Sequence, residues 1–239
     1  SGYVDVTTAS GLATLMGSSD DVYSASWADY DGDGDLDLTV IAGAPWNWSG
    51  HMKVLRNAGD GTFDAVVLEE YFRVGHTPLW ADFDGDHDLD LVILKSEPDP
   101  VGAPPGYANY FYVNQGDGTF IEDGWNRLGP VSTIQGGTIA VVADVENDGD
   151  LDIVYALHDH GLYYLENAAA GTQGPGYFAA TPLGGVSTPG AEPTDLAVLD
   201  YDLDGHQDIL VGFGFPYASY GACSVHLLGN RDSGGQRVL

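Results

Sequence analysis

The residues best equipped for chemistry are carboxylates, and they recur at fixed offsets. Four segments align: WADYDGDGDLDLTVIAG from Trp27, WADFDGDHDLDLVILKS from Trp80, VADVENDGDLDIVYALH from Val142 and VLDYDLDGHQDILVGFG from Val198. Counting from the first acid of each loop, positions 1, 3, 5 and 9 are Asp29, Asp31, Asp33 and Asp37 in the first copy. They are Asp82, Asp84, Asp86 and Asp90 in the second, Asp144, Glu146, Asp148 and Asp152 in the third, and Asp200, Asp202, Asp204 and Asp208 in the fourth. Position 7 is Asp35, Asp88, Asp150 and His206. A solvated run of charge would not keep this phase. Alternate acids on a tightly curled loop converge their oxygens on one point, which suits a hard divalent cation. Calcium takes six to eight oxygens at about 2.3–2.6 Å, so the loops predict about four Ca2+ ions, with position 7 adding its backbone carbonyl. Position 6 is Gly34, Gly149 and Gly205, as a sharp turn favours, but His87 in the second copy.

Other metal chemistries fit less well. Position 12 is Val40, Ile93, Tyr155 and Val211, where an EF-hand needs a bidentate Glu, and helices are not predicted on either side. Magnesium needs fewer protein carboxylates, and zinc prefers His or Cys donors.

Strands must position these loops. An apolar, β-rich run leaves each one, at 38–42, 91–94, 153–157 and 209–213. A third strand follows, such as 52–55 or 110–113, and then the signatures RNAGDGTF ending at Phe63 and VNQGDGTF ending at Phe120. Gly-Asp-Gly-Thr has the chemistry of a hairpin turn, and a fourth strand completes the unit. The third copy has the looser ENAAAGTQGPGYF, and the fourth ends in GNRDSGGQRVL. Four strands in roughly 50–60 residues is the pattern of a propeller blade. The expected fold is all-β: one four-bladed β-propeller domain over residues 1–239, with four-stranded antiparallel blades and no helix. Residues 3–7 are expected to form a strand that helps close the last blade, with 236–239 as the competing candidate.

The acidic loop followed by an apolar strand, together with NAGDGTF and NQGDGTF, resembles the FG-GAP/VCBS repeats of calcium-binding propellers, including integrin-type and fungal-lectin-type blades. The resemblance covers nearly all of the chain. It implies calcium in the loop between the first and second strands of each blade. Two positions depart from the pattern, His87 at the loop glycine and Glu146 at position 3. Family propellers often have seven blades, and four are present here.

Composition narrows the partners. The 239 residues hold 36 Asp+Glu against 7 Lys+Arg, a formal charge of −29. Nucleic acid and anionic membrane surfaces are excluded, since both need clustered cations on the protein. Hydrophobic residues at 44% argue for a packed core over a disordered acidic tail. Nineteen of the 36 acids stand at odd positions of the four loops, so the charge is largely a count of metal sites. Cys223 is the only cysteine, which rules out an intrachain disulfide.

The loops between second and third strands must emerge at the opposite end of the blades. They carry Trp46, Trp48, His51, Tyr107, His158, His160, Phe215, Tyr217 and Tyr220. Aromatic faces with few charges suit a glycan or a small flat ligand. Asn47-Trp48-Ser49 is a glycosylation sequon. Nucleophile-elbow, phosphate-loop and HExxH motifs are absent from the sequence. The expectation is a secreted, extracellular, calcium-stabilised, lectin-like binding protein without catalysis. The alternative is a carrier of a small apolar or pigment ligand, held at a homodimer interface.

Overall fold

The computed structural model describes residues 2–16, 21–43, 51–69, 75–95, 109–133, 137–157, 161–168, 172–184, 186, 191–214, 223–233 and 236–238. The chain is a β-propeller of four antiparallel blades. The first blade is β1 (Asp21–Ala28), β2 (Asp37–Gly43), β3 (His51–Asn57) and β4 (Phe63–Glu69), paired in that order. The second is β5 (Gly75–Ala81), β6 (Asp90–Lys95), β7 (Tyr110–Asn114) and β8 (Phe120–Glu122). The third is β9 (Gly137–Ala143), β10 (Asp152–Leu157), β11 (Gly161–Asn167) and β12 (Phe178–Leu183). In the fourth, β13 (Glu192–Leu199), β14 (Asp208–Gly214) and β15 (Ser224–Leu228) form a three-stranded sheet. The first strands lie side by side, with β1 against β5, β5 against β9 and β9 against β13. Among the described residues β13 and β1 make no comparable contact.

Burial explains the apolar runs. Leu91, Val92, Ile93 and Leu94 are all buried, as are all six residues of β10, because a second strand in an inner blade is covered on both faces. Alternate residues then serve different neighbours. Leu91 and Ile93 join Tyr30, Ile41, Met52 and Val54 of the first blade. Val92 and Leu94 join Ile153, Tyr155 and Leu165 of the third. Val154 and Ala156 pack with Ile209, Val211 and Phe213 of the fourth.

The termini depart from expectation. Residues 3–7 form no strand, and Tyr3, Val4 and Val6 are exposed. The chain turns at residues 7–10 and forms a short helix, α1 (Leu12–Met16), on the first blade. Leu12, Leu15 and Met16 pack over Val40, Ala42 and Leu55, and Lys53 Nζ donates to the Leu15 carbonyl at 2.6 Å. The apolar residues of α1 find a blade face to cover. The segment β17 (Gln236–Val238) is a strand, but it pairs with β16 (Arg231–Ser233) and not with β15. Helix is also present between the second and third blades, as α2 (Gly124–Arg127) and a 3-10 turn at Gly129–Thr133. Leu128 and Val131 are fully buried there, so tertiary contact makes helix where four or five residues show no period of their own. No helix among the described residues is long and apolar enough to cross a membrane.

Candidate metal centres

Each acidic loop is curled by its own side chains. The position 1 carboxylate accepts backbone N–H groups from across the loop: Gly34 on Asp29 at 3.1 Å, His87 on Asp82 at 3.0 Å, Gly149 on Asp144 at 3.1 Å and Gly205 on Asp200 at 2.9 Å. Position 5 accepts the N–H of position 7 in all four copies, from Asp33 to Asp204. His87 has φ 77°, matching Gly34, Gly149 and Gly205 at 92°, 99° and 93°.

Position 9 has a structural task beside the one its acidity suggests. Asp37, Asp90, Asp152 and Asp208 are buried, one at the head of each second strand. In three copies one oxygen accepts the N–H of position 2, from Tyr30, Val145 or Tyr201. In all four the other oxygen accepts a backbone N–H from Asn57, Asn114, Asn167 or Asn230 at 2.8–3.0 Å. This carboxylate therefore ties the loop to the end of the third strand.

The same asparagines reach the neighbouring blade. Asn114 Nδ2 donates to the Tyr30 carbonyl at 2.8 Å, Asn167 Nδ2 to that of Phe83 at 2.8 Å and Asn230 Nδ2 to that of Val145 at 3.0 Å. Each acceptor is position 2 of the preceding acidic loop. The sequence carried a signal for this role, since an Asn stands at the end of the third strand in three copies and two residues past it in the fourth. It reads as one more turn residue beside Gly-Asp-Gly-Thr. The position 7 side chains also brace that turn: a Cβ on Gly59 would lie 2.6 Å from Asp35 Oδ2, and one on Gly116 2.5 Å from Asp88 Oδ2. Those glycines are required by the acidic loop pressed against them.

Three loops bring carboxylate oxygens within 4.8 Å of one another: Asp29, Asp31 and Asp33; Asp82, Asp84 and Asp86; and Asp200, Asp202 and Asp208. Asp29 Oδ1, Asp84 Oδ1 and Asp90 Oδ2 are buried without a hydrogen-bond partner. Burial pushes the Asp90 carboxyl up to about 7 and raises those of Asp37 and Asp84. An all-oxygen cluster with orphaned, desolvated carboxylates fits a hard cation. At Asp84 a side chain competes for that charge. Arg127 Nη1 lies 3.1 Å from Asp84 Oδ2, with its guanidinium against the Phe111 and Tyr177 rings. No acidic-loop pattern announces Arg127, because it comes from α2 of an insertion.

The third loop does not gather in this way. Glu146 is buried and turned inward, where its carboxyl accepts the Tyr164 hydroxyl and hydrogen-bonds to Asp152. Burial, then the Asp152 carboxyl, raises its pKa. The extra methylene relative to Asp is what lets it reach Tyr164. Asn147 of this loop instead donates to the Gly205 carbonyl of the next, at 2.5 Å.

A sequence model of the FG-GAP-like repeat matches residues 29–93 and 144–211, together more than half of the chain. The chain belongs to the FG-GAP-like repeat family. The two matches each begin at a position 1 aspartate, Asp29 and Asp144, and each runs into the second strand of the following blade. No curated protein sequence matches the chain. Among solved structures, the Vibrio cholerae biofilm matrix protein Bap1 is similar at 16% identity and a TM-score of 0.37, over 79% of this chain. The FG-GAP-like chain spans about a third of Bap1, 34% of its length.

Trp46, Trp48, Tyr107, His158, His160, Phe215, Tyr217 and Tyr220 fall outside the described residues, as does the sequon at 47–49. His51 opens β3, and its side chain is likewise outside them. Shallow grooves of about 500 and 640 Å³ run beside the acidic loops, one lined by Tyr30, Arg56 and Gly116, the other by Val142, Asn147 and Gln207.

Proposed function

We propose that this FG-GAP-like protein is a calcium-stapled binding module that works outside the cell, without catalysis. Cations in the acidic loops fix the blades, and the loops between second and third strands present aromatic residues to a glycan or small molecule. The observation that carries the cation reading is the set of orphaned carboxylate oxygens at Asp29, Asp84 and Asp90, in loops whose neighbouring donors are all oxygen. A buried, unpaired carboxylate is expensive, and a divalent cation removes that penalty. The first, second and fourth loops are the principal sites. The third is the weakest, because Glu146 already has partners inside the blade.

A cation that binds only the folded chain stabilises it by mass action, about 2.7 kcal/mol per site at a hundredfold excess over Kd. Excess EDTA should therefore lower the melting temperature by more than about 10 °C, and added calcium should restore it. A melt indifferent to both would sink the cation reading. For the ligand, binding on a glycan array that is lost in Trp46→Ala or Trp48→Ala supports the lectin-like role. A coloured or mass-detectable small molecule on the purified protein would replace it with the carrier role.

A further inference from the structure

The acidic loops diverge at position 3. Asp31 in the first loop accepts the Asp33 N–H of its own turn at 3.3 Å. Glu146 in the third is taken up by Tyr164 and Asp152. Asp84 in the second meets a cation from outside the loop, with Arg127 Nη1 3.1 Å from its Oδ2.

This is a desolvated ion pair. The Arg127 and Asp84 side chains are 12% and 16% exposed, against 47% and 72% for the surface pair Arg56 and Asp64. The guanidinium is fixed from several sides. The rings of Phe111 in β7 and Tyr177 beside β12 lie 5.3 and 4.9 Å from it, and Asp123 Oδ2 is 3.4 Å from Nε. A Cβ on Gly176 would run into Nη1 and stand 2.8 Å from the Asp84 Cβ, so the third blade closes over the pair only with glycine there, at φ 79°. The backbone is anchored as well, since Leu128 is fully buried and its N–H caps α2 on the Gly124 carbonyl at 2.9 Å. A guanidinium suits this place because it is weakly hydrated and stacks on rings.

One positive charge leaves the loop part-neutralised. Asp84 Oδ1 and the Oδ2 of the fully buried Asp90 have no hydrogen-bond partner among the described residues. Asp82 and Asp86 bring further oxygens within 4.8 Å of Asp84.

We propose that Arg127 is a resident counter-cation of the second loop. It sets the calcium affinity of that loop below those of the first and fourth, and it holds the junction of the second and third blades when calcium is absent. This rests on the cation reading above. An ion entering the second loop meets a carboxylate already shared and a like charge held beside it, so it binds less tightly. Without the ion, the guanidinium offsets part of the repulsion among Asp82, Asp84 and Asp86 and keeps α2 against the Gly176 turn. The second loop therefore fills after the first and fourth, and it is the last of the three to loosen when metal is withdrawn.

Calorimetric titration with calcium chloride and melting curves, on the full chain and on Arg127→Gln and Arg127→Lys, test this. Arg127→Gln should tighten one calcium equivalent on the order of tenfold and leave the others unchanged. Arg127→Lys keeps the charge and should stay near the wild-type affinity. In EDTA, Arg127→Gln should melt below the wild type, and saturating calcium should narrow that gap because the ion then replaces the lost charge. An equal gap in both conditions with unchanged calcium affinity would make the arginine merely structural and overturn the proposal. Tightening in Arg127→Lys as large as in Arg127→Gln would also overturn it, since charge would not be the cause. Calcium bound with the same affinities by all three proteins overturns this proposal alone, whereas no calcium heat from any of them overturns the cation reading with it.

Discussion

His87 and Leu203 occupy backbone that glycine holds elsewhere in the same loops. His87 has φ 77° at position 6, and Leu203 has φ 62° at position 4, where Gly32 and Gly85 have 70° and 77°. A left-handed residue with a side chain is strained by about 1–2 kcal/mol, offset in part by the greater chain entropy of glycine when unfolded. His87→Gly should therefore raise the unfolding free energy by roughly 0.5–1 kcal/mol in urea titration. A decrease would mean that the imidazole makes a stabilising contact. At position 3 of the third loop the expected change concerns binding. Glu146→Asp is too short to reach Tyr164 in the same way and restores the pattern of the other loops, so calorimetric titration should show one additional calcium equivalent. An unchanged stoichiometry would place the cause outside Glu146.

Strands and loops divide the labour between them. The acidic loop, the apolar strand and the hairpin were legible because each is written in a short period: every second residue in the loop, a continuous apolar run in the strand, glycine at the turn. The asparagine clamp was not. Its acceptors lie 84 or 85 residues away, and the residue itself resembles its turn neighbours. Position 9 was legible as an acid but not as a strand clasp, because that role depends on burial. The clamp makes a graded prediction. Asn167→Ala removes the donor to the Phe83 and Leu151 carbonyls and the acceptor of the buried Gly176 N–H, and should cost about 1–3 kcal/mol. Asn57→Ala removes the donor to the Leu36 carbonyl and the acceptor of the Gly59 N–H, both at exposed sites, and should cost clearly less. Equal losses in parallel denaturation curves would contradict the inter-blade role.

For the whole molecule, the density of acids works against the fold. Asp90 has its folded pKa pushed up to about 7 by burial, and Asp37, Asp84 and Asp152 are raised for the same first reason. A carboxyl raised on folding binds its proton more tightly in the native state, so it stabilises at low pH and loses that contribution as pH climbs through the folded value. The formal charge of −29 acts in the same direction, since self-repulsion grows as the acids ionise. In EDTA the protein should therefore melt higher at about pH 5 than at about pH 8, and saturating calcium should abolish or reverse that order. A metal-free melt that rises with pH would refute it. The sequence by itself determined the blade, the acidic loops and their number, because repeats are local and periodic. Only the tertiary structure decided which oxygens converge, that Glu146 turns inward, and that the N-terminus caps the first blade without completing the fourth. Those outcomes depend on contacts between distant segments, where burial and competition for hydrogen bonds outweigh any local pattern.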